Sequence, residues 1–324
     1  MRKVRNFITG LVISVMLILV SGCNIIGNKK SIDNEKLKVI TTLFPQYDFV
    51  REVAKDRVDV SLLLPPGVES HAYEPTPQDM TNIKKADIFV YTGQYMEPWA
   101  EKIVEISKDG KLVIVDTSKG IELIDEEDHD HEEEHGHEEE HDHEHGGKDP
   151  HIWLDPVCAQ KMVDNIVEGL IKVDKENEEF YKENGEEYKK KLQQLDEKFM
   201  ETFRKTKYNK IMYGGHFAFG YFAKRYGLEH ISPYNGFTPN AEPTPKRIAE
   251  LIKNIESSGI KVIYYEELIN PKVAKIISDQ TGAEMLLLHG AHNLSKNELE
   301  SGISYIEIME QNLERLKQGL GYYE

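Results

Sequence analysis

The chain has 324 residues, 39 % of them apolar and 30 % charged, with a formal net charge of −17. That length suits two domains, and the acidic balance excludes nucleic acid as a partner, which calls for a basic face. Thirteen of the acids fall in residues 125–147, a stretch without Lys or Arg, so the charge describes one segment and not the whole surface.

The first 22 residues read as a targeting signal. Arg2, Lys3 and Arg5 form a basic start, and Phe7 to Val20 is an apolar stretch of fourteen residues. A stable membrane span needs roughly 20 apolar residues, so this stretch is too short to be a good one. It ends in Val20-Ser21-Gly22-Cys23, and small residues ahead of a cysteine resemble the bacterial lipobox, in which the thiol is acylated and the cysteine becomes the mature N-terminus. Two or more acyl chains on Cys23 would anchor the protein stably to a lipid bilayer where one would not. Residues 23–36 follow as a polar tether. With Cys23 acylated, Cys158 has no partner for a disulfide, and at the start of an amphipathic helix it reads as a small buried apolar residue.

From residue 37 short apolar runs alternate with helical stretches. Strands are expected at Leu37–Leu43, Val58–Leu64, Asp87–Tyr91 and Leu112–Asp116, and helices at Pro45–Lys55, Pro77–Lys85 and Pro98–Ser107. Proline in the first turn of a helix is harmless, because its missing N–H would have no partner there. The second half repeats the plan, with strands at Lys210–Tyr213, Glu229–Ser232, Lys261–Tyr265 and Glu284–Leu288. Its helices are expected at Phe217–Tyr226, Pro245–Ser257, Pro271–Thr281 and, as one long element, Asn297–Leu320. Leu299, Ile303, Ile306, Met309, Leu313, Leu316 and Leu320 form a single stripe along that last helix. Alternation of this kind implies α/β lobes built on largely parallel sheets.

Between the halves, Asp155-Pro156 supplies an N-cap and a first-turn proline. Val163, Ile166, Leu170 and Val173 line one face, and Tyr181, Tyr188, Leu192, Leu195, Phe199 and Phe203 line another. A helix of some 20 residues spans about 30 Å, enough for a stiff connector. The expected organisation is a first lobe over 37–154, a connector helix over 155–182 and a second lobe over 183–324.

Seven histidines (His129, His131, His135, His137, His141, His143 and His145) lie within the acidic segment 125–147. The segment has no apolar residue, cannot bury a face and is expected to be a loose loop. It matches the metalloprotease pattern H-E-x-x-H twice, at His131–His135 and His137–His141. A catalytic zinc helix needs an apolar face and a third ligand in fixed geometry, so these matches follow from composition alone. Imidazole suits zinc and the acids concentrate cations, which makes the segment an accessory zinc collector.

The specific site must come from elsewhere. His71, His216 and His292 each lie just beyond the end of a strand, where open α/β sheets bind ligands, and His151 lies in DPHIWLDP ahead of the connector. Two from each half point to one shared site between the lobes.

At these residues the chain resembles the metal-specific substrate-binding lipoproteins of bacterial ABC importers, in their zinc branch. PPGVESHAYEPTPQD, DPHIWLDP, GGHFAFGYFAKRYGL, FTPNAEPTPKRIAELIK, YYEELINPKVA and the histidine-rich segment carry the resemblance, which covers residues 38–320. It implies two (β/α)4-type lobes joined by a long rigid helix, with the metal site in the inter-lobe cleft. It also implies His71, His151 and His216 as ligands. In manganese-binding relatives the third position is a carboxylate, and here it is His216, which points to Zn2+.

No carboxylate stands between Glu284 and Glu298, and the fourth ligand is expected to be His292 ahead of His289, which is nearer the strand itself. Glu266 follows a strand and is expected to accept a ligand's other N–H, a role for which Glu74 is the weaker candidate. Capture of Zn2+ and delivery to an ABC transporter membrane permease, by a monomer and without catalysis, is the expected function. A surface adhesin, a metal-sequestering lipoprotein and a zinc hydrolase are the alternatives. Affinity is expected to fall as pH drops through about 6.5, where free imidazole protonates.

Overall fold

A computed structural model describes residues 36–107, 110–125, 147–234 and 242–323. The signal stretch, Cys23, the tether and the seven histidines between His129 and His145 lie outside the described residues.

In the first half β1 (Leu37–Thr41), β2 (Val58–Leu62), β3 (Ile88–Tyr91) and β4 (Val113–Asp116) form one parallel sheet in the order β2-β1-β3-β4. Alternation along the strands sorts side chains to the two faces. Val39, Ile88 and Val90 join the main core with α1 (Phe44–Ala54), and Ile40, Phe89 and Tyr91 join a smaller cluster. That smaller cluster packs under α2 (Pro77–Lys85) and α3 (Glu101–Ile106) through Ile83 and Ile103.

The second half copies this order. β5 (Lys210–Met212) pairs with β6 (Glu229–Ile231), and β7 (Val262–Tyr265) pairs with β8 (Glu284–Leu287), all parallel. A parallel bridge from Tyr213 to Tyr264 joins the two pairs, giving the order β6-β5-β7-β8. In both halves the strand order reverses beside the first strand, and such a switch point opens a crevice at the carboxyl ends.

Two helices occupy the region expected to be a single connector over 155–182. α4 (Pro156–Val173) ends at Asp174, and α5 (Glu178–Phe203) begins after a 3-10 turn over Lys175–Asn177. Asp174 makes the break, since its carboxylate accepts from Asn177 Nδ2 and Tyr181 OH, both at 2.7 Å. α5 is the long element, 26 residues or about 39 Å at 1.5 Å per residue. Its first turns reach the first half, where Asn184 donates to Val53 O and Tyr188 to Asp48. Its last turns reach the second half, where Arg225 of α6 (Gly220–Tyr226) grips Asp196 through two bonds of 2.6 Å.

The remaining helices among the described residues are α7 (Pro245–Ser258), α8 (Lys272–Thr281), α9 (Lys296–Ser301) and α10 (Tyr305–Leu320). The single terminal helix expected from Asn297 is therefore two. Gly302 caps α9 at φ 72°, a left-handed conformation suited to glycine. Ser304 and Glu307 form a capping box that starts α10 afresh. α6 also starts three residues later than expected, because Phe217 and Phe219 are buried in irregular chain ahead of it.

Candidate metal centre

Each of four connections brings one histidine to the same point. His71 sits in the loop after β2, where Glu69 accepts the N–H groups of His71 and Ala72 at 2.8 Å each. His151 opens a 3-10 turn whose Ile152, Trp153 and Leu154 are fully buried, so the core anchors its backbone. His216 follows β5 through Gly214-Gly215. A Cβ on Gly214 would strike Ala274, and one on Gly215 would strike the Glu266 carboxylate, so the chain passes only as glycine. His292 follows β8 beyond Ala291, which has a positive φ of 54°.

One nitrogen from each of these four rings lies within 4.8 Å of the others, and His71 Nε2 is 3.2 Å from His151 Nε2. Tetrahedral zinc with bonds of about 2.05 Å sets its nitrogens ~3.3 Å apart, so the cluster needs only a small contraction to close on such an ion. Nε2 of His216 and of His292 are buried with no hydrogen-bond partner among the described residues. Buried polar atoms are normally paired, and a metal ion is the partner that four convergent imidazoles fit.

Carboxylates hold the outer nitrogens of three of the rings. Asp149 Oδ1 lies 2.8 Å from His151 Nδ1, Glu266 Oε2 lies against His216 Nδ1, and Glu267 Oε1 lies 3.1 Å from His292 Nδ1. With the proton on Nδ1, Nε2 presents its lone pair to the centre. Burial, reinforced by His292 and His216, pushes the His71 ring down to about 2. Burial, then His292, His71 and His216, also holds His151 well below the usual imidazole range. Both rings are thus neutral, as ligation requires. Protons therefore compete little with a metal for these two rings near pH 6.5.

The model of the family described as zinc-uptake complex component A, periplasmic (ZnuA), matches residues 39–319. The chain belongs to the ZnuA family. It is 43 % identical over 311 residues to the high-affinity zinc uptake system protein ZnuA of Bacillus subtilis, covering 95 % of this chain and 96 % of that protein. It is 35 % identical to the zinc-binding lipoprotein AdcA of Streptococcus pneumoniae, matching 94 % of this chain and 60 % of AdcA, whose remaining length has no counterpart in the match. The crystal structure of the Zn(II)-bound ZnuA-like domain of that AdcA superposes with a TM-score of 0.73 at 32 % identity, covering 88 % of this chain and 99 % of the domain.

In this ZnuA-family chain the two other histidines among the described residues, His230 and His289, stand apart from the cluster. His289 is turned away from the cluster: its Nδ1 accepts from Ala291 N at 2.9 Å, its backbone N–H donates to Asn312, and its Nε2 faces Glu298 at 3.5 Å. His230 stacks on Phe217 with centroids 3.7 Å apart. Glu74 is exposed and belongs to no part of the cluster, while Glu266 lies beside His216. Cys158 is half-buried, and burial followed by Asp155 pushes its thiol up to about 12.

Three residues at the site were missed in the sequence. Asp149 stands two residues before His151, close enough to suggest a partner, and Glu267 adjoins Glu266 in YYEEL. Glu267 also accepts Gly290 N at 2.7 Å, and His289 and His292 hold it below the usual carboxylate range against the upward push of burial. Trp153 packs edge-on against the His151 and His292 rings, a role that no local pattern announces.

Proposed function

We propose that the chain captures one Zn2+ between its halves through His71, His151, His216 and His292, and delivers it to the membrane permease of an ABC importer. The convergence of four imidazoles on one point carries this reading. An all-nitrogen shell suits zinc, whereas calcium, magnesium and manganese prefer oxygen ligands. The description of the family as a component of a zinc-uptake complex supports the transport role and an extracytoplasmic location. The cavity over His216 and His292, walled by Val68, Ser70, Leu268 and Ile269, holds about 20 Å3. That is room for one ion or water molecule, which supports carriage of an ion over hydrolysis of a larger substrate.

Acylation of Cys23 would hold the protein at the membrane surface, in keeping with the lipoprotein name of AdcA. The histidine-rich segment would collect zinc near the site. A Cys23→Ala chain recovered in the soluble fraction would support the anchor, and one still tied to membranes would oppose it.

Competitive zinc titration tests the site, using full-length protein whose seven segment histidines are changed to Gln. One tight zinc per chain is expected. His216→Ala and His292→Ala should each weaken it by more than about 100-fold, beyond the loss typical of an outer partner. His289→Ala should leave the affinity within about threefold, since its ring faces Glu298. Tight binding that survives His216→Ala would overturn the assignment.

A further inference from the structure

One phenol joins the helix beyond His216 to the chain that carries His151. Tyr221 is buried on α6, donates its O–H to Asp149 O at 2.8 Å and accepts Ile124 N–H at 3.0 Å. Its single proton and its acceptor oxygen are both engaged. The preceding residue closes the same contact, because a Cβ on Gly220 would strike Asp149 Oδ2. Asp149 then receives the N–H of His151 on Oδ1 at 2.9 Å, and the same oxygen faces His151 Nδ1. A two-link path therefore runs from Tyr221 of the second half through Asp149 to the His151 ring of the first half.

We propose that Tyr221 is a positioning residue for zinc capture, fixing the main chain at Asp149 so that the Asp149 carboxylate holds His151 Nε2 at the cluster. The inference rests on the zinc reading of the four histidines. Metal ligation tolerates errors of about 0.2 Å in bond length, so an outer partner that fixes a ligand's aim acts on affinity without touching the ion. Tyr221 also binds Ile124, so it holds the chain on both sides of the segment 126–146. The backbone that leaves for that segment and the backbone that returns from it are tied to the helix that follows His216.

The test compares full-length Tyr221→Phe, Gly220→Ala and Tyr226→Phe with the parent, all with the seven segment histidines changed to Gln. Zinc affinity is read by chelator competition, site geometry by the visible spectrum of the Co2+-loaded protein, and folding by thermal unfolding. Tyr221→Phe keeps the ring in the core and removes one neutral hydrogen-bonding group, so zinc should bind about three- to tenfold more weakly. The Co2+ spectrum should change with it, and Gly220→Ala should act in the same direction. Tyr226 lies on the same helix but its O–H donates to Asp196 at 2.8 Å, so Tyr226→Phe should lower the Tm and leave zinc affinity and the Co2+ spectrum at parental values. Parental affinity in Tyr221→Phe, or equal weakening by Tyr226→Phe, would overturn the positioning role. Loss of tight zinc from the parent itself would instead overturn the reading on which it rests.

Discussion

The indole nitrogen of Trp153 donates to the carbonyl oxygen of Gly290 at 2.8 Å, joining the turn that carries His151 to the loop that carries His292. Other bonds reinforce this seam. Phe44 N–H donates to His292 O at 3.2 Å, Gly67 N–H to Leu294 O at 2.8 Å, and the Asn293 amide to Pro65 O and Val68 O at 2.7 and 2.9 Å. The His292 loop extends from the second sheet, yet much of its hydrogen bonding is to the first half.

Trp153→Phe should therefore loosen the seam itself. It leaves the Gly290 carbonyl without its donor and part of the indole volume empty, which together should cost about 2–4 kcal/mol. Denaturant unfolding of the metal-free protein measures this. A change below about 0.5 kcal/mol, the range of an ordinary surface substitution, would show that the bond does not hold the halves together.

The paired carboxylates after β7 divide their labour, Glu266 serving His216 and Glu267 serving both His292 and the Gly290 backbone. Glu266→Ala and Glu267→Ala should each weaken zinc binding by about 10- to 100-fold. Glu266→Gln keeps an acceptor for the His216 N–H but loses the charge that strengthens it, so it should fall between wild type and Glu266→Ala. Competitive titration of the four proteins checks the order. Wild-type affinity in Glu266→Gln would mean that the charge contributes nothing, and a loss equal to that of Glu266→Ala would mean that a neutral acceptor cannot replace the carboxylate.

Acid should destabilise the metal-free protein through His71 and His151. In the unfolded chain these rings take up protons near 6.5, whereas the folded state holds His71 neutral to about 2 and His151 neutral well below 6.5. Above 6.5 neither state is protonated and stability is unaffected. Below it the unfolded state binds more protons, so stability falls with pH by at most about 1.4 kcal/mol per unit for each ring. Burial raises Glu97 to about 7 and Asp48 to about 6, and these acids act in the opposite sense over part of the range. The measurement is accordingly the difference in unfolding free energy between wild type and His71→Gln, which should shift against the wild type as pH falls from 7.5 to 5. A difference independent of pH would contradict a buried neutral His71.

The terminal region shows how readily one legible pattern hides another. The stripe from Leu299 to Leu320 has helical spacing throughout, and it suggested a single helix. Gly302 and the Ser304–Glu307 capping box were equally present in the letters, but a periodicity count passes over a three-residue break. Asp174 ended the connector in the same way, through a side chain that turns back on Asn177 and Tyr181.

The alternating strands and helices, the cap at Asp155, the glycines ahead of His216 and the placing of histidines beyond strand ends were all determined by the sequence alone. Each depends on side-chain period, turn chemistry or backbone freedom among residues a few positions apart. Only the tertiary structure decided that Glu267 and Asp149 stand behind the cluster, and that Trp153 and Tyr221 cross between the halves. His71 and His151 are 80 residues apart in the chain and 3.2 Å apart in space. A separation of that kind is set by how the two halves are held along one long helix, and no local pattern of residues contains it.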